Sequence, residues 1–256
     1  REKLMLNYQV HGNGHPLVLL HGFVGGAGYW FQQEEALGGD FQLISVDLPG
    51  FAGSAGVPEQ DSLEGYANTV IEVMDALDLP RVSLLGFSMG GMIAQELARL
   101  YPDRVETLIL YGSSAVGDLP QRFESWEASI QRLGRDGVEA TTDKTVATWF
   151  VDGTESPRYP RTREACAGAS LPHCIKVMRA MQGWNSEAWL GELTMPTLVL
   201  VGDQDRSTTP YDSIPLWEGI PNAEFCILPA TAHGIHLEEP ELFNLVLKKF
   251  LLRHVG

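Results

Sequence analysis

The chain has 256 residues, with 18 Lys and Arg against 33 Asp and Glu, and a formal net charge of −15 at pH 7. That length suits one alpha/beta unit with an insertion, and that charge argues against nucleic acid or an anionic membrane surface as a partner. No apolar stretch reaches the roughly 18 to 20 residues of a bilayer-spanning helix, and Arg1-Glu2-Lys3 leads into no secretory apolar segment.

Strands are predicted at 5–11 and 17–20, with His11 and His15 in an N-terminal hairpin, then at 42–47, 81–85, 105–111, 197–201 and 224–228. Most are short, nearly continuous apolar runs, the pattern of strands covered on both faces. Helical patterns separate them, notably 62–77, where Val70, Val73, Met74 and Leu77 form one stripe, and 242–252. The alternation indicates an α/β fold with a mostly parallel central sheet. Cys166, Cys174 and Cys226 are odd in number and lack metal-ligand spacing, so no disulfide framework or zinc site is expected and a cytoplasmic setting is the simplest.

Between the strand at 81–85 and the helical pattern that opens with Gly91 lies Gly86-Phe87-Ser88-Met89-Gly90. A strand, a sharp turn and a helix with a serine at the apex leave no room for side chains two positions before and after that serine. Gly86 and Gly90 supply the room.

On these residues the chain resembles the alpha/beta-hydrolase family. Four segments match in order: His21-Gly22-Phe23; Asp47-Leu48-Pro49-Gly50-Phe51-Ala52-Gly53-Ser54; the serine elbow; and the pair Gly202-Asp203-Gln204-Asp205 and Ala232-His233-Gly234. The resemblance implies a sheet flanked by helices and a catalytic triad ordered Ser, acid, His along the chain. Ser88 is then the nucleophile and His233 the base, with His236 its competitor. The family places the acid three residues past the glycine that ends its strand, often with a proline shortly after. Gly202 and Pro210 bracket Asp205 in that way, and Asp203 is the alternative. The backbone amides of Phe23 and Met89 are the expected oxyanion donors, Met89 standing at a helix N-terminus. His21 is expected to brace its loop and Asp47 to support the turn at Leu48-Pro49-Gly50, neither taking part in the chemistry.

Residues 113–193 carry helical patterns and no convincing strand. They are expected to form a helical cap inserted after the sixth strand, leaving 1–112 and 194–256 as the core. The segment holds Trp126, Trp149, Trp184 and Trp189 beside Phe150, Met178 and Met181. Some of these side chains should line a pocket above Ser88, and Phe87 and Trp149 are the expected substrate contacts. A substrate carboxylate would need a cation. The segment offers Arg158, Arg161, Arg163, Lys176 and Arg179, each of which is better read as solvated surface.

The sequence Gly-Phe-Ser-Met-Gly-Gly is similar to small serine carboxylesterases and cofactor-free haloperoxidases, and residues 89–96 resemble 3-oxoadipate enol-lactonases. The implied activity is hydrolysis of a small carboxylic ester or lactone through an acyl-enzyme. No cofactor is expected, because Gly22, Gly25, Gly26 and Gly28 do not follow the dinucleotide order and no acidic ribose partner is evident. Haloalkane dehalogenases and epoxide hydrolases resemble the chain in outline but carry Asp at the elbow. Meta-cleavage C–C hydrolases often have Asn where Phe87 stands and Trp where Gly234 stands. They and haloperoxidase or perhydrolase chemistry are the alternatives, with a small-molecule receptor on the same fold as the non-enzymatic one.

Overall fold

The computed structural model describes residues 5–122, 124–166 and 168–255. They form seven strands: β1 (Tyr8–His11), β2 (His15–Leu20), β3 (Phe41–Val46), β4 (Val82–Phe87), β5 (Val105–Tyr111), β6 (Thr197–Gly202) and β7 (Ala223–Leu228). One sheet contains all seven in the order β1-β3-β2-β4-β5-β6-β7, with β1 antiparallel to β3 and every other pair parallel. Every residue of β4 and β6 is buried, which is why these strands read as unbroken apolar runs. The outermost strands, β1 and β7, are partly exposed.

Helices α1 (Phe31–Leu37), α2 (Leu63–Ala76) and α3 (Met89–Leu100) connect the first five strands. Ser62 caps α2 by accepting the Gly65 N–H at 3.1 Å, and the predicted stripe of Val70, Val73 and Met74 is buried. After β5 come α4 (Trp126–Ala147), α5 (Tyr159–Ala165) and α6 (Leu171–Gln182), and after β6 come α7 (Pro210–Gly219), the short α8 (Ile235–Glu238) and α9 (Pro240–His254). Gly137, at φ 85° and ψ 169°, breaks α4 into two arms. Among the described residues no helix is long and apolar enough to cross a membrane.

Two expectations are corrected. The N-terminal hairpin is not formed: β1 and β2 both pair with β3, which lies between them. The link from His11 to His15 crosses the start of β3, with Gly12 (φ 78°) and Gly14 (φ 111°) pressed so closely on the carbonyls of Gly38, Asp40 and Phe41 that a Cβ at either would collide. Residues 5–7 also fall outside β1, because Asn7 turns to Asp47 and Ser54: its N–H meets Ser54 Oγ at 2.8 Å and its amide meets Asp47 Oδ2 at 2.7 Å. The helical segment, secondly, follows the fifth strand of this sheet and not the sixth. Counting from the sixth presumes one more leading strand than the described residues contain.

That segment leaves and rejoins the sheet side by side. Val116 bridges Asn185, Gly117 N–H donates to the Trp184 carbonyl at 2.9 Å, and Ser186 N–H donates to the Ala115 carbonyl at 2.8 Å.

Candidate active site

Ser88 sits between β4 and α3 at φ 54° and ψ −116°. A non-glycine residue held there costs about 1–3 kcal/mol and persists only where its surroundings fix it. They do: the Ser88 N–H donates to the Tyr111 carbonyl at 2.8 Å, and its carbonyl accepts from Gly91 N–H at 2.8 Å and Ser113 Oγ at 3.0 Å. The steric argument for the two glycines holds in detail. A Cβ at Gly86 would strike the Gly90 carbonyl, and one at Gly90 would strike the carbonyls of Leu20 and His21.

The loop after β2 abuts this turn, since a Cβ on Gly22 would lie 3.2 Å from Ser88 Cβ. Its shape is held from behind. His21 Nε2 accepts the Leu48 N–H at 2.9 Å, so its Nδ1 carries the proton and donates to the Gly22 carbonyl at 2.7 Å, while Gly22 N–H donates to Tyr29 Oη at 2.8 Å. Asp47 is a loop anchor as well. Its Oδ1 accepts Ala27 N–H at 2.6 Å, and its Oδ2 accepts Gly53 N–H at 3.0 Å. Phe23 and Met89 flank Ser88 in the cavity wall, and among the described residues neither backbone N–H donates to another group of the chain.

Asp205 lies three residues beyond the end of β6, and His233 follows β7. Asp205 Oδ2 meets His233 Nδ1 at 2.6 Å, and both side chains are buried. The other carboxylate oxygen accepts the N–H groups of Ser207 (2.8 Å) and Thr208 (2.9 Å), which sets the plane of the carboxylate. Asp203 points elsewhere, its Oδ1 accepting the Thr231 N–H at 3.2 Å. The imidazole of His233 rests on Phe87 at 4.7 Å between centroids, and its carbonyl accepts from Tyr111 Oη at 2.7 Å. Glu238 fixes the loop from the other side: its oxygens accept Ala232 N–H at 2.7 Å and Val151 N–H at 2.6 Å, and burial raises its pKa above the ordinary carboxylate value.

His236 is separated from this pair. It is fully buried among Tyr29, Trp30 and Phe87, with Nδ1 3.2 Å from Tyr111 Oη and Nε2 without a hydrogen-bond partner among the described residues. Burial, followed by the nearby His233, holds its pKa well below 6.5, and burial likewise lowers that of His21. Both are therefore neutral when folded and take up a proton at about pH 6.5 only on unfolding, so stability falls as pH drops below that value toward the folded pKa. Replacing His236 with Leu should remove one such proton. Denaturant titrations at pH 7.0, 6.0 and 5.5 should show a decline shallower than wild type by up to about 1.4 kcal/mol per pH unit; parallel declines would mean that His236 is protonated in the folded state.

Ser88 and His233 open into a cavity of about 550 Å³ whose far wall comes from the segment between β5 and β6. Two of the four tryptophans there line it. Trp126 donates Nε1–H to the Gly117 carbonyl at 3.2 Å, and Trp149 packs edge-on against Tyr29 and Phe87, each at 5.6 Å, with only 2% of its surface exposed. Trp184 is turned away, donating to Glu96 at 2.8 Å, and Trp189 lies beneath Arg99. Phe87 is wholly buried and forms part of the floor.

None of the five cations weighed from sequence lines this cavity. Arg158 donates to the Glu238 carbonyl, Arg161 stacks on Phe31 at 3.6 Å, Arg163 pairs with Glu139 and Asp143, Lys176 with Asp61, and Arg179 with Glu127. The cations that do line it are Arg122, Arg132, Lys144 and Arg206, which sequence reasoning missed. A trace of one was present in the placing of Arg122 four residues before Trp126. The thiols of Cys166 and Cys174 are pushed up to about 12 by burial, which leaves them without thiolate character at neutral pH.

A sheet of this order, a strained serine at a strand-to-helix turn and a buried Asp–His pair at the ends of later strands define a hydrolase of the alpha/beta type. The chain belongs to the Alpha/beta hydrolase family, whose sequence pattern matches residues 17–244. It is 29% identical to the RutD protein of Agrobacterium fabrum, assigned as a carbamate hydrolase, over 96% of this chain and 98% of that one. It is 27% identical to a 2-hydroxy-6-oxo-6-phenylhexa-2,4-dienoate hydrolase of Burkholderia cepacia, over 98% and 93%. Among solved structures, a thermophilic esterase from Thermogutta terrifontis superposes with a TM-score of 0.87 at 28% identity, covering 98% of this chain and 94% of its own.

Proposed function

We propose that the protein hydrolyses small carboxylic esters or lactones through an acyl-enzyme on Ser88. The observation that carries this reading is the buried 2.6 Å contact between Asp205 and His233, opening on the same cavity as Ser88. With Asp205 as the acceptor, Nδ1 of His233 keeps its proton and Nε2 is free to take the proton of the serine hydroxyl. As Ser88 Oγ bonds to the carbonyl carbon, negative charge gathers on the carbonyl oxygen. The amides of Phe23 and Met89 are the donors for it, and the dipole of α3 adds to the second. His233 then protonates the leaving alcohol, and water attacks the acyl-serine with His233 again acting as base.

The same steps accommodate a carbamate, the substrate type assigned to the RutD relative. Carbon–carbon cleavage, the chemistry of the dienoate hydrolase relative, has less support. Phe87 stands where such enzymes often have Asn, and a side chain at Gly234 would meet the Cβ and carbonyl oxygen of Trp149 at 2.9 Å, which leaves no room for the Trp they carry there. A receptor role would leave Ser88 unmodified by substrate. Three free cysteines agree with a cytoplasmic setting.

Nitrophenyl esters and nitrophenyl carbamates mixed rapidly with the enzyme should give an initial burst of about one equivalent of nitrophenol, while a lactone, whose alcohol stays on the acyl group, should be turned over without one. A fluorophosphonate should add to the peptide that carries Ser88. Folded protein that gives no turnover on any of these substrates and no adduct at Ser88 would overturn the proposal in favour of a receptor.

A further inference from the structure

The electrostatics of the cavity run against those of the chain. The protein carries a formal charge of −15, yet Arg122, Arg132, Lys144 and Arg206 line the cavity against only Glu124 and Asp212. Most of these charges are committed. Arg132 meets both oxygens of Glu124, at 2.9 Å and 3.2 Å, Lys144 meets Asp136 at 3.2 Å, and Asp212 closes the cap of α7 on Thr209 at 2.8 Å. Arg206 is exposed at the rim.

Arg122 differs from all of them. Its guanidinium lies over the Trp126 ring, with Cζ 3.6 Å from the centroid. One terminal nitrogen donates to Ser129 Oγ at 3.2 Å, but Ser129 gives its own proton to Glu124 at 2.7 Å; Glu124 and Asp118 act on Arg122 through space, and among the described residues no carboxylate comes within ion-pair distance of it. The Nε–H is buried without an acceptor among the described residues. A guanidinium stacked on an aromatic ring in a cavity wall, with no carboxylate in ion-pair range among the described residues, is a planar fork suited to a two-oxygen anion.

We propose that Arg122, stacked on Trp126, binds a carboxylate borne by the substrate at the end of the cavity lined by α4, so that the substrates are esters or lactones that also carry a free acid. The inference rests on the hydrolase reading for the bond cleaved but not for the binding. The net positive lining draws the acid in, the two terminal nitrogens of Arg122 hold its two oxygens, and the acyl carbon is presented to Ser88 by the length of the chain between them.

The test compares methyl half-esters of succinic, glutaric, adipic and pimelic acid with the corresponding dimethyl esters. Wild type should favour one half-ester over its dimethyl partner by at least tenfold in kcat/KM, and the preferred length should be the same in Arg122→Lys. Arg122→Met should lower kcat/KM on that half-ester at least tenfold more than on the dimethyl ester, whereas Arg206→Met should not separate the two. A second arm needs no turnover: glutarate and adipate titrated calorimetrically into folded wild type and Arg122→Met should bind the first at least tenfold more tightly. Equal losses on both ester types, or a wild type that prefers the neutral ester, would overturn the proposal, as would dicarboxylate binding that ignores Arg122. Binding that depends on Arg122 without turnover of any half-ester would instead overturn the hydrolase reading and leave the anion site standing.

Discussion

Ser88→Ala and His233→Ala should each lower kcat by at least about 10³-fold while the protein stays folded, because on the proposed function they are nucleophile and base, which act as one unit. The fold should tolerate the serine change well. The hydroxyl caps no helix, and the bonds that hold the turn, to the Tyr111 carbonyl and from Gly91, belong to the backbone. For His233 the structural link is also through its carbonyl, which Tyr111 holds at 2.7 Å, so loss of the ring leaves the loop tethered. His236→Leu should keep turnover within about tenfold, as its ring faces Trp30 and Tyr29 and does not line the cavity. Initial rates on a nitrophenyl ester, with circular dichroism to confirm folding, decide the matter. A His236 variant that abolishes turnover while His233→Ala spares it would reassign the base.

Asp205→Asn should lower kcat by roughly 10²- to 10⁴-fold, and the reason lies in which oxygen is already occupied. Oδ1 accepts the amides of Ser207 and Thr208, so the single oxygen of an Asn is drawn there and its NH2 group turns toward His233 Nδ1. A donor in that place forces the imidazole into the tautomer with its proton on Nε2, the nitrogen that must accept from Ser88. Asp203→Asn should change kcat by less than about threefold, because an amide oxygen serves the Thr231 N–H as well as a carboxylate does. Steady-state rates for the two variants side by side test the assignment, and equal, small losses from both would exclude Asp205 as the orienting acid.

The backbone of the candidate site was legible because it is local. Gly86, Ser88 and Gly90 answer a steric demand within five residues, and the apolar runs of β4 and β6 answer to burial on both faces. The choice of Asp205 over Asp203 came from resemblance to the family, and the geometry supplies its physical reason in the two amides that aim the carboxylate. The hairpin failed because spacing records that Gly12 and Gly14 turn the chain but not which strand they cross. The pocket cations failed for a similar reason. Polarity tells that Arg122 and Arg163 both meet solvent, but only the placing of α4 over the sheet makes one of them face Ser88's cavity. Strand numbering, too, is a property of the assembled sheet.

Glu238 ties two regions that would otherwise be independent. One carboxylate holds the amide before His233 and the amide of Val151, and a few ångströms along, Gly234 N–H donates to the Trp149 carbonyl at 2.8 Å. A hinged lid over such a site would have to break the two bonds that cross between the regions, Val151 to Glu238 and Gly234 to Trp149, freeing the backbone just after the imidazole in the same event. Ligand exchange by that route would loosen the His233 loop at each opening. On the proposed function, the stretch from Trp149 to Val151 is thus scaffold for the base as much as wall for the substrate, and variation that reshapes the chamber without disturbing proton transfer has its freedom in the arms of α4 and in α6.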